Sequence, residues 1–358
     1  GAAGAPVIFA LLACTGAPPG VRTPTGDDTG DTSEPDDPRG LLEGLLTGDP
    51  DAEDAILWGP GFPVAIDDSI AFVYRNEDAN GCSVAGDFND WSEQPMQQTG
   101  PWWHHSEPGR SFADGLRYKF VCDDGVYRAD PLARAFGYDG FGEISFVEPP
   151  TEGHLQRWPG MPAAGLARHD LTVWVPANTS GPWATLYAAD GQNLFAPDAI
   201  NGGWRMQEAL EGRPVLVVGI HNTPYRMREY AHVDDHVLDM DIGALGDTYA
   251  TFVHEQVRPH IEATYPTSGH DGLIGSSLGG LISLHIARTH PGSYDFVASL
   301  SGTLGWGRFG MHNPTMQEQW LTNAPDLVVY ADSGGGPGDD GQCTDPDGDG
   351  SWADDPDA

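Results

Sequence analysis

From Asp67 to Val147 the chain alternates short runs of branched and aromatic residues with Gly, Asn and Asp. The runs Ser69–Tyr74, Gly81–Ala85, Leu116–Cys122, Val126–Arg128 and Glu143–Val147 predict the strands of an all-β sandwich. Ahead of it, Gly40–Leu46 and Asp51–Leu57 predict two short helices. Pro149 to Ala167 is rich in Pro and Gly and reads as a connector. Beyond it, apolar runs alternate with helical periodicity, the pattern of βαβ units and a mostly parallel sheet. Strands fall at Leu171–Val175, Ala184–Ala189, Val215–Ile220, Gly272–Gly275, Phe296–Leu300 and Leu327–Ala331. Between them, Thr248–Tyr265 carries Tyr249, Phe252, Val253, Val257 and Ile261 on one helical face, and Leu278–Arg288 predicts another helix. The pattern predicts an α/β domain preceded by a β-sandwich.

The stretch Asp271-Gly-Leu-Ile-Gly-Ser-Ser-Leu-Gly-Gly280 carries the chemistry. It runs from an apolar strand through G-x-S-x-G into a helix, the context of a nucleophile elbow. A chain that reverses so sharply has room only for Gly on either side, and Ser277 then stands at the tip. A serine hydroxyl is a weak nucleophile until a base takes its proton and nearby donors stabilise the oxyanion. The N–H of Leu278 is the first donor expected. The second is assigned to Gln192, in the loop Asp190-Gly191-Gln192-Asn193, where Gly191 permits close backbone approach. Asp190, His221, Arg226, Arg228 and Trp306 follow strands on the same side and are candidates for the substrate pocket. Surface ion pairing for the arginines and packing for Trp306 are the ordinary alternatives.

The blocks Leu186-Tyr-Ala-Ala-Asp-Gly-Gln-Asn-Leu-Phe195, Val217-Val-Gly-Ile-His-Asn222, Arg228-Glu-Tyr230, Gly275–Ile282 and Tyr330–Gly334 come in an order that resembles one esterase family. That family holds esterase D, enterochelin-esterase-like enzymes and feruloyl esterases, all α/β-hydrolases, and the resemblance covers residues 168–334. Upstream, Val84-Ala-Gly-Asp-Phe-Asn-Asp-Trp91, Tyr118–Val121 and Asp130-Pro131 resemble the early-set immunoglobulin-like domain over about residues 64–148. Some such domains bind α-glucan through exposed aromatics. Trp91, Trp102 and Trp103 are the candidates here, with core packing the other reading of Trp91.

The resemblance implies a triad of Ser, then an acid after the seventh strand, then His after the eighth. Asp340 is the favoured acid, with Asp339 and Asp332 as alternatives. His285, His290 and His312 alone follow Ser277, and none fits the family's position. The last helix, the eighth strand and the catalytic histidine are therefore expected beyond Ala358.

Charge narrows the partners. With 53 acidic residues against 17 Lys and Arg, the net charge of −36 repels phosphate backbones, so nucleic acid is not expected. In the acidic tail, Asp345, Asp347, Asp349 and Asp354 include D-x-D-x-D-G, the spacing of calcium loops. The tail resembles thrombospondin-type acidic repeats more than an EF-hand, and a disordered acidic loop is the equal alternative. Near the start, an apolar stretch too short to span a bilayer ends in Leu11-Leu12-Ala13-Cys14. It resembles a bacterial lipoprotein signal, implying a lipid anchor at Cys14 and a place in the cell envelope. Residue 1 is Gly rather than Met, so the natural start is expected upstream. With Cys14 lipidated, Cys82 and Cys122 remain as a disulfide pair and Cys343 is left over.

The expected organisation is a signal remnant (1–14), an acidic linker (15–40), a helical lead-in with the sandwich (41–148), a connector (149–167) and an incomplete α/β-hydrolase domain (168–358). The expected activity is hydrolysis of a small-molecule carboxylic ester through an acyl-enzyme at Ser277, with no organic cofactor. Two alternatives stay open: a non-catalytic glycan-binding lipoprotein on a hydrolase scaffold, and an acyltransferase.

Overall fold

The structure is a computed structural model, and it describes residues 37–108, 115–177, 181–200 and 203–332. Cys14, Asp339, Asp340, Cys343, Asp345, Asp347, Asp349 and Asp354 lie outside the described residues. The two lead-in helices are present at Pro38–Thr47 and Ala52–Trp58. The first is started by the Asp37 side chain, which accepts the Arg39 N–H, and is stopped by Gly48 at φ 89°. Their Leu45, Ile56 and Leu57 pack onto Val64, Ala71 and Val73 of the sandwich.

The sandwich forms as the alternation predicts. One sheet runs Val64–Ile66, Ser69–Arg75, Trp102–Pro108, Gln97–Thr99. The facing strands include Cys82–Gly86, Arg117–Cys122, Gly142–Phe146 and Ala135–Asp139. Phe72, Phe88, Tyr118 and Phe120 fill the space between them, with the Phe72 and Phe88 rings stacked at 5.1 Å. Cys82 and Cys122 sit directly opposite in register and form the expected disulfide. The Asp130-Pro131 block has a structural reason. The buried Asp130 carboxylate accepts the Tyr118 hydroxyl at 2.6 Å and its backbone N–H donates to Ser145 Oγ at 2.8 Å, which locks the turn. Trp102 and Trp103, candidates for a sugar platform, are buried and so offer no exposed face. Their rings belong to the core, and Trp91 is half-buried with its indole N–H on Asp87.

The stretch 149–167, expected as a connector, holds the strand His154–Met161. It pairs on one side with Ala135–Asp139 (Leu155 opposite Phe136) and on the other with His169–Val175 (Leu155 opposite Trp174). The sandwich and the α/β domain therefore share one sheet, thirteen-stranded among the described residues. Pro159 and Gly160 read as breakers, yet a register shift between Trp158 and Met161, with Gly160 at φ 64°, absorbs them.

From that strand onward the order is His169–Val175, Val215–Ile220, Trp183–Ala189, Thr267–Ser276, Phe296–Leu300 and Val328–Ala331, parallel from the second onward. One face packs Leu171, Val173, Tyr187 and Val218 against Phe252, Val257, Ile261, Leu281 and Ile282. The other packs Ala188, Val217, Ile274 and Ala298 with Leu194, Phe195 and Leu210. The helix expected at Thr248–Tyr265 is present as Gly246–Phe252 and Arg258–Thr264, joined by the π-helical turn Val253–Val257. Pro259 explains the break, because it has no N–H to return to the preceding turn.

Candidate active site

The strand Thr267–Ser276 ends at Ser277, whose backbone sits at φ 57°, ψ −125° before the helix Leu278–Thr289 begins. Few residues with a Cβ adopt that conformation, and it costs on the order of 1–3 kcal/mol. The glycines around it are sterically required. A Cβ on Gly275 would lie 2.2 Å from the carbonyl of Gly279, and one on Gly280 would lie 2.5 Å from Ser299 Oγ. The turn is held by Ser277 N–H to Leu300 O at 3.0 Å and by Gly280 and Leu281 N–H to Ser277 O. The helix behind is buried from Leu278 to Ala287, while Ser277 itself is exposed. Its Oγ lies 3.4 Å from Thr303 Oγ1. The first N–H groups of a helix lack intrahelical acceptors, so that of Leu278 is available to an oxyanion above Oγ.

The loop Asp190–Asn193, expected to supply the second oxyanion donor, lies beside this turn. A Cβ on Gly279 would meet Ala189 Cβ at 3.1 Å and Asp190 Oδ2 at 3.2 Å. Asp190 takes a left-handed backbone (φ 59°), and Gly191 passes so close to Gly219 that a Cβ would sit 2.4 Å from its carbonyl carbon. The Asp190 carboxylate receives two bonds from Arg226 (2.7 and 2.8 Å) and one from Asn222 Nδ2 (2.6 Å). Its backbone N–H reaches Tyr230 Oη at 3.2 Å, and Gln192 Oε1 accepts the Asn222 N–H at 3.1 Å. Asp190 and Arg226, expected among the pocket residues, thus hold each other and fix the loop. The Arg226 guanidinium also lies over the Tyr230 ring, 5.1 Å from its centroid. Arg228 donates to Gly243 O.

Trp306 takes the packing alternative. It is 2% exposed and its indole N–H donates to Val233 O at 2.9 Å, so it belongs to the core. The loop that begins at Thr303 is anchored by Asp235. That carboxylate accepts the N–H groups of Gly307 (2.6 Å), Phe309, Gly310 and Met311. Burial alone would raise its pKa, but these backbone donors hold it below the usual value.

Of the three acid candidates, Asp332 is described. Its Oδ1 accepts the Ser301 N–H at 2.6 Å and its Oδ2 the Tyr330 hydroxyl at 3.0 Å, so it braces the turn that leads to Thr303. The histidines after Ser277 are engaged elsewhere or face solvent. His285 is buried on the elbow helix with Nε2 2.8 Å from Asp247, its pKa lowered chiefly by burial. The His290 ring lies tilted against that of His254, centroids 4.1 Å apart, and His312 is exposed. No cluster of three or more His, Cys, Asp or Glu able to hold a metal exists among the described residues. Thr303, Asp235, Asn222 and Tyr230 were not singled out from sequence. Asn222 and Tyr230 were visible only inside the resembling blocks, and no local pattern marks the other two.

A parallel sheet with a strained serine at a strand-to-helix elbow and a braced loop beside it defines the α/β-hydrolase fold, here carrying an immunoglobulin-like sandwich in front. The chain belongs to the family described as "Putative esterase", whose model matches residues 168–347. The model of carbohydrate-binding module 48, the isoamylase N-terminal domain, matches residues 61–133. A siderophore triacetylfusarinine C esterase from Aspergillus fumigatus is 28% identical over 135 residues, 35% of this chain and 46% of that protein. The uncharacterised protein YbbA of Bacillus subtilis is 28% identical over 146 residues, 37% of this chain and 56% of its own length. The chain thus spans about half the length of the curated relatives it matches. Among solved structures, the enterobactin esterase of Shigella flexneri has 16% identity and a TM-score of 0.36, covering 73% of this chain and 78% of its own. An IroE-like serine hydrolase from Shewanella oneidensis has 19% identity and a TM-score of 0.40, covering 51% and 73%.

Proposed function

We propose that this chain hydrolyses carboxylic esters of small molecules through a covalent acyl group on Ser277. The observation that carries the reading is Ser277 itself, exposed and strained at the elbow with a braced loop against the first turn of its helix. In the first half-reaction Oγ attacks the ester carbonyl while its proton passes to a general base. The oxyanion is stabilised by the N–H groups of Leu278 and Gln192 and collapses to the acyl-enzyme with loss of the alcohol. Water then attacks the acyl carbon and releases the carboxylic acid and Ser277. The base must come from a histidine in a place that His285 and His290 do not occupy. The test is labelling by a fluorophosphonate together with hydrolysis of 4-nitrophenyl acetate. Ser277→Ala should lose both while melting at the wild-type temperature. Labelling that persists in Ser277→Ala would end this reading.

Because one relative is named as a siderophore esterase, siderophore esters belong first in a substrate panel, followed by feruloyl, acetyl-xylan and short-chain aryl esters. Attachment to the envelope through a lipid on Cys14 is also proposed, supported by the apolar leader and the tether after it. Labelling with radioactive palmitate in cells, lost in Cys14→Ala, checks it. Calcium binding by the tail at Asp345, Asp347, Asp349 and Asp354 is a proposal for calorimetry.

A further inference from the structure

The Asp190 carboxylate and the Gln192 side chain are held from one segment, residues 221–230, which follows the strand Val215–Ile220. Asn222 and Arg226 bond the carboxylate, Tyr230 Oη accepts the Asp190 N–H, and the Asn222 N–H donates to Gln192 Oε1. A buried carboxylate holds that segment in turn. Glu229 is 1% exposed, and its Oε2 accepts the Thr223 hydroxyl at 2.7 Å. Thr223 Oγ1 accepts the Tyr225 N–H at 3.0 Å, so Glu229 ties the end of the segment back to its beginning. The sheet grips the same segment through His169, the first residue of the strand His169–Val175. Its buried ring stacks on Phe252 with centroids 4.9 Å apart, and its Nδ1 lies 2.8 Å from His221 O.

Counting donors adds one hydrogen to this arrangement. A carbonyl oxygen only accepts, so His169 Nδ1 carries a hydrogen and donates it to His221 O. The other ring nitrogen, Nε2, then faces Glu229 Oε1 at 3.8 Å, and neither of these two atoms has a hydrogen-bond partner. Without a further hydrogen, two lone pairs are turned on each other in the interior, and the carboxylate charge is uncompensated there. A proton on Nε2 removes both costs. It makes an imidazolium beside a carboxylate, and His169 then clamps the segment at both ends, through His221 and through Glu229. Both side chains are shut away from solvent, so their influence on Ser277 passes through residues 221–230 to Asp190 and Gln192.

We propose that Glu229 and His169 are positioning residues of the Ser277 site, sharing one buried proton that locks residues 221–230 and, through them, the loop Asp190–Asn193. The consequence for turnover rests on the esterase reading, whereas the lock itself does not. The test therefore reads both in the full chain. In 15N-edited NMR spectra at neutral pH, wild-type His169 should show a hydrogen on Nε2 as well as on Nδ1. In Glu229→Gln the amide donates to Nε2 and still accepts from Thr223, so Nε2 should be bare while the Asp190 and Gln192 amide resonances keep their places. Glu229→Met fills the same space with neither bond, and those two resonances should move. For 4-nitrophenyl acetate, Glu229→Met should lower kcat about 10²-fold with KM changed less than about twofold, and Glu229→Gln should restore kcat to within about threefold of wild type. Circular dichroism melts report whether Glu229→Met folds. Should it not, the wild-type His169 spectrum and Glu229→Gln decide. A bare Nε2 in the wild type, unmoved Asp190 and Gln192 resonances in folded Glu229→Met, or a Glu229→Gln chain whose two resonances move would overturn the lock. A wild-type chain without turnover would end the esterase reading and leave the spectra to decide the lock.

Discussion

Ser277 stores backbone strain at the tip of the elbow, where the proposed reaction needs its hydroxyl. Replacing it with Gly relieves that strain and removes the proposed nucleophile, so Ser277→Gly should raise stability by about 1 kcal/mol while abolishing fluorophosphonate labelling. Thermal melts beside a labelling gel check both halves, and a lower melting temperature would contradict the strain. Asp190 shows the opposite balance. Its carboxylate is nearly buried and receives Arg226 bidentately, so Asp190→Ala leaves a cation without its partner in a part-buried place. The expected cost is about 2–3 kcal/mol, with loss of the proposed esterase turnover as the loop Asp190–Asn193 loosens. Arg226→Met in the same chain should recover the stability but not the turnover. The serine was legible because glycines on both sides mark a turn that nothing else can make. The Asp190–Arg226 pair was not, because its members lie on different loops and only the fold brings them together.

At the level of elements, alternation and punctuation located most strands within a residue or two. Phe296–Leu300 and Val215–Ile220 fall as predicted. His154–Met161 was missed for a physical reason. Pro159 and Gly160 break regular pairing, and their bulge becomes tolerable only once His169–Val175 and Ala135–Asp139 are present to hold both edges. Strand Trp102–Pro108 was missed because polar His104 to Glu107 dilute its pattern. The disulfide is an element-scale crosslink, joining adjacent strands across a sequence separation of 40. A loop of that length predicts a stabilisation of about 4 kcal/mol by the chain-entropy estimate. Melts of the folded protein with and without reductant, and of Cys82→Ser with Cys122→Ser, should show that loss, and an unchanged melting temperature would rule it out.

For the molecule as a whole, buried titrating groups set the pH dependence of stability. His221 and His232 are both pulled down to about 4 from an ordinary 6.5, chiefly by burial. Below pH 6.5 the unfolded chain takes up protons that the folded chain refuses, so stability falls as pH drops from about 6.5 to 4. Each histidine contributes a loss of at most roughly 3 kcal/mol. Asp130 acts in the other direction. Burial raises it to about 6 from 3.8, so the folded state binds its proton first and gains stability as pH falls through that window. His254, His260 and His285 are shifted downward as well, again by burial, so the histidines prevail. The melting temperature should decline between pH 7 and pH 4.5, and His232→Leu should flatten the slope by about one proton. A melting temperature that climbs across that range would refute this balance.

The strand His154–Met161 also has a mechanical meaning. A ladder hydrogen-bonded to both halves transmits shear from one to the other, so the sandwich cannot swing away from the hydrolase half as a tethered domain would. A protease should find no cleavable hinge there. A chain begun after residue 161 would present a raw sheet edge, in Trp174 and its neighbours, and should precipitate rather than behave as a lone catalytic module.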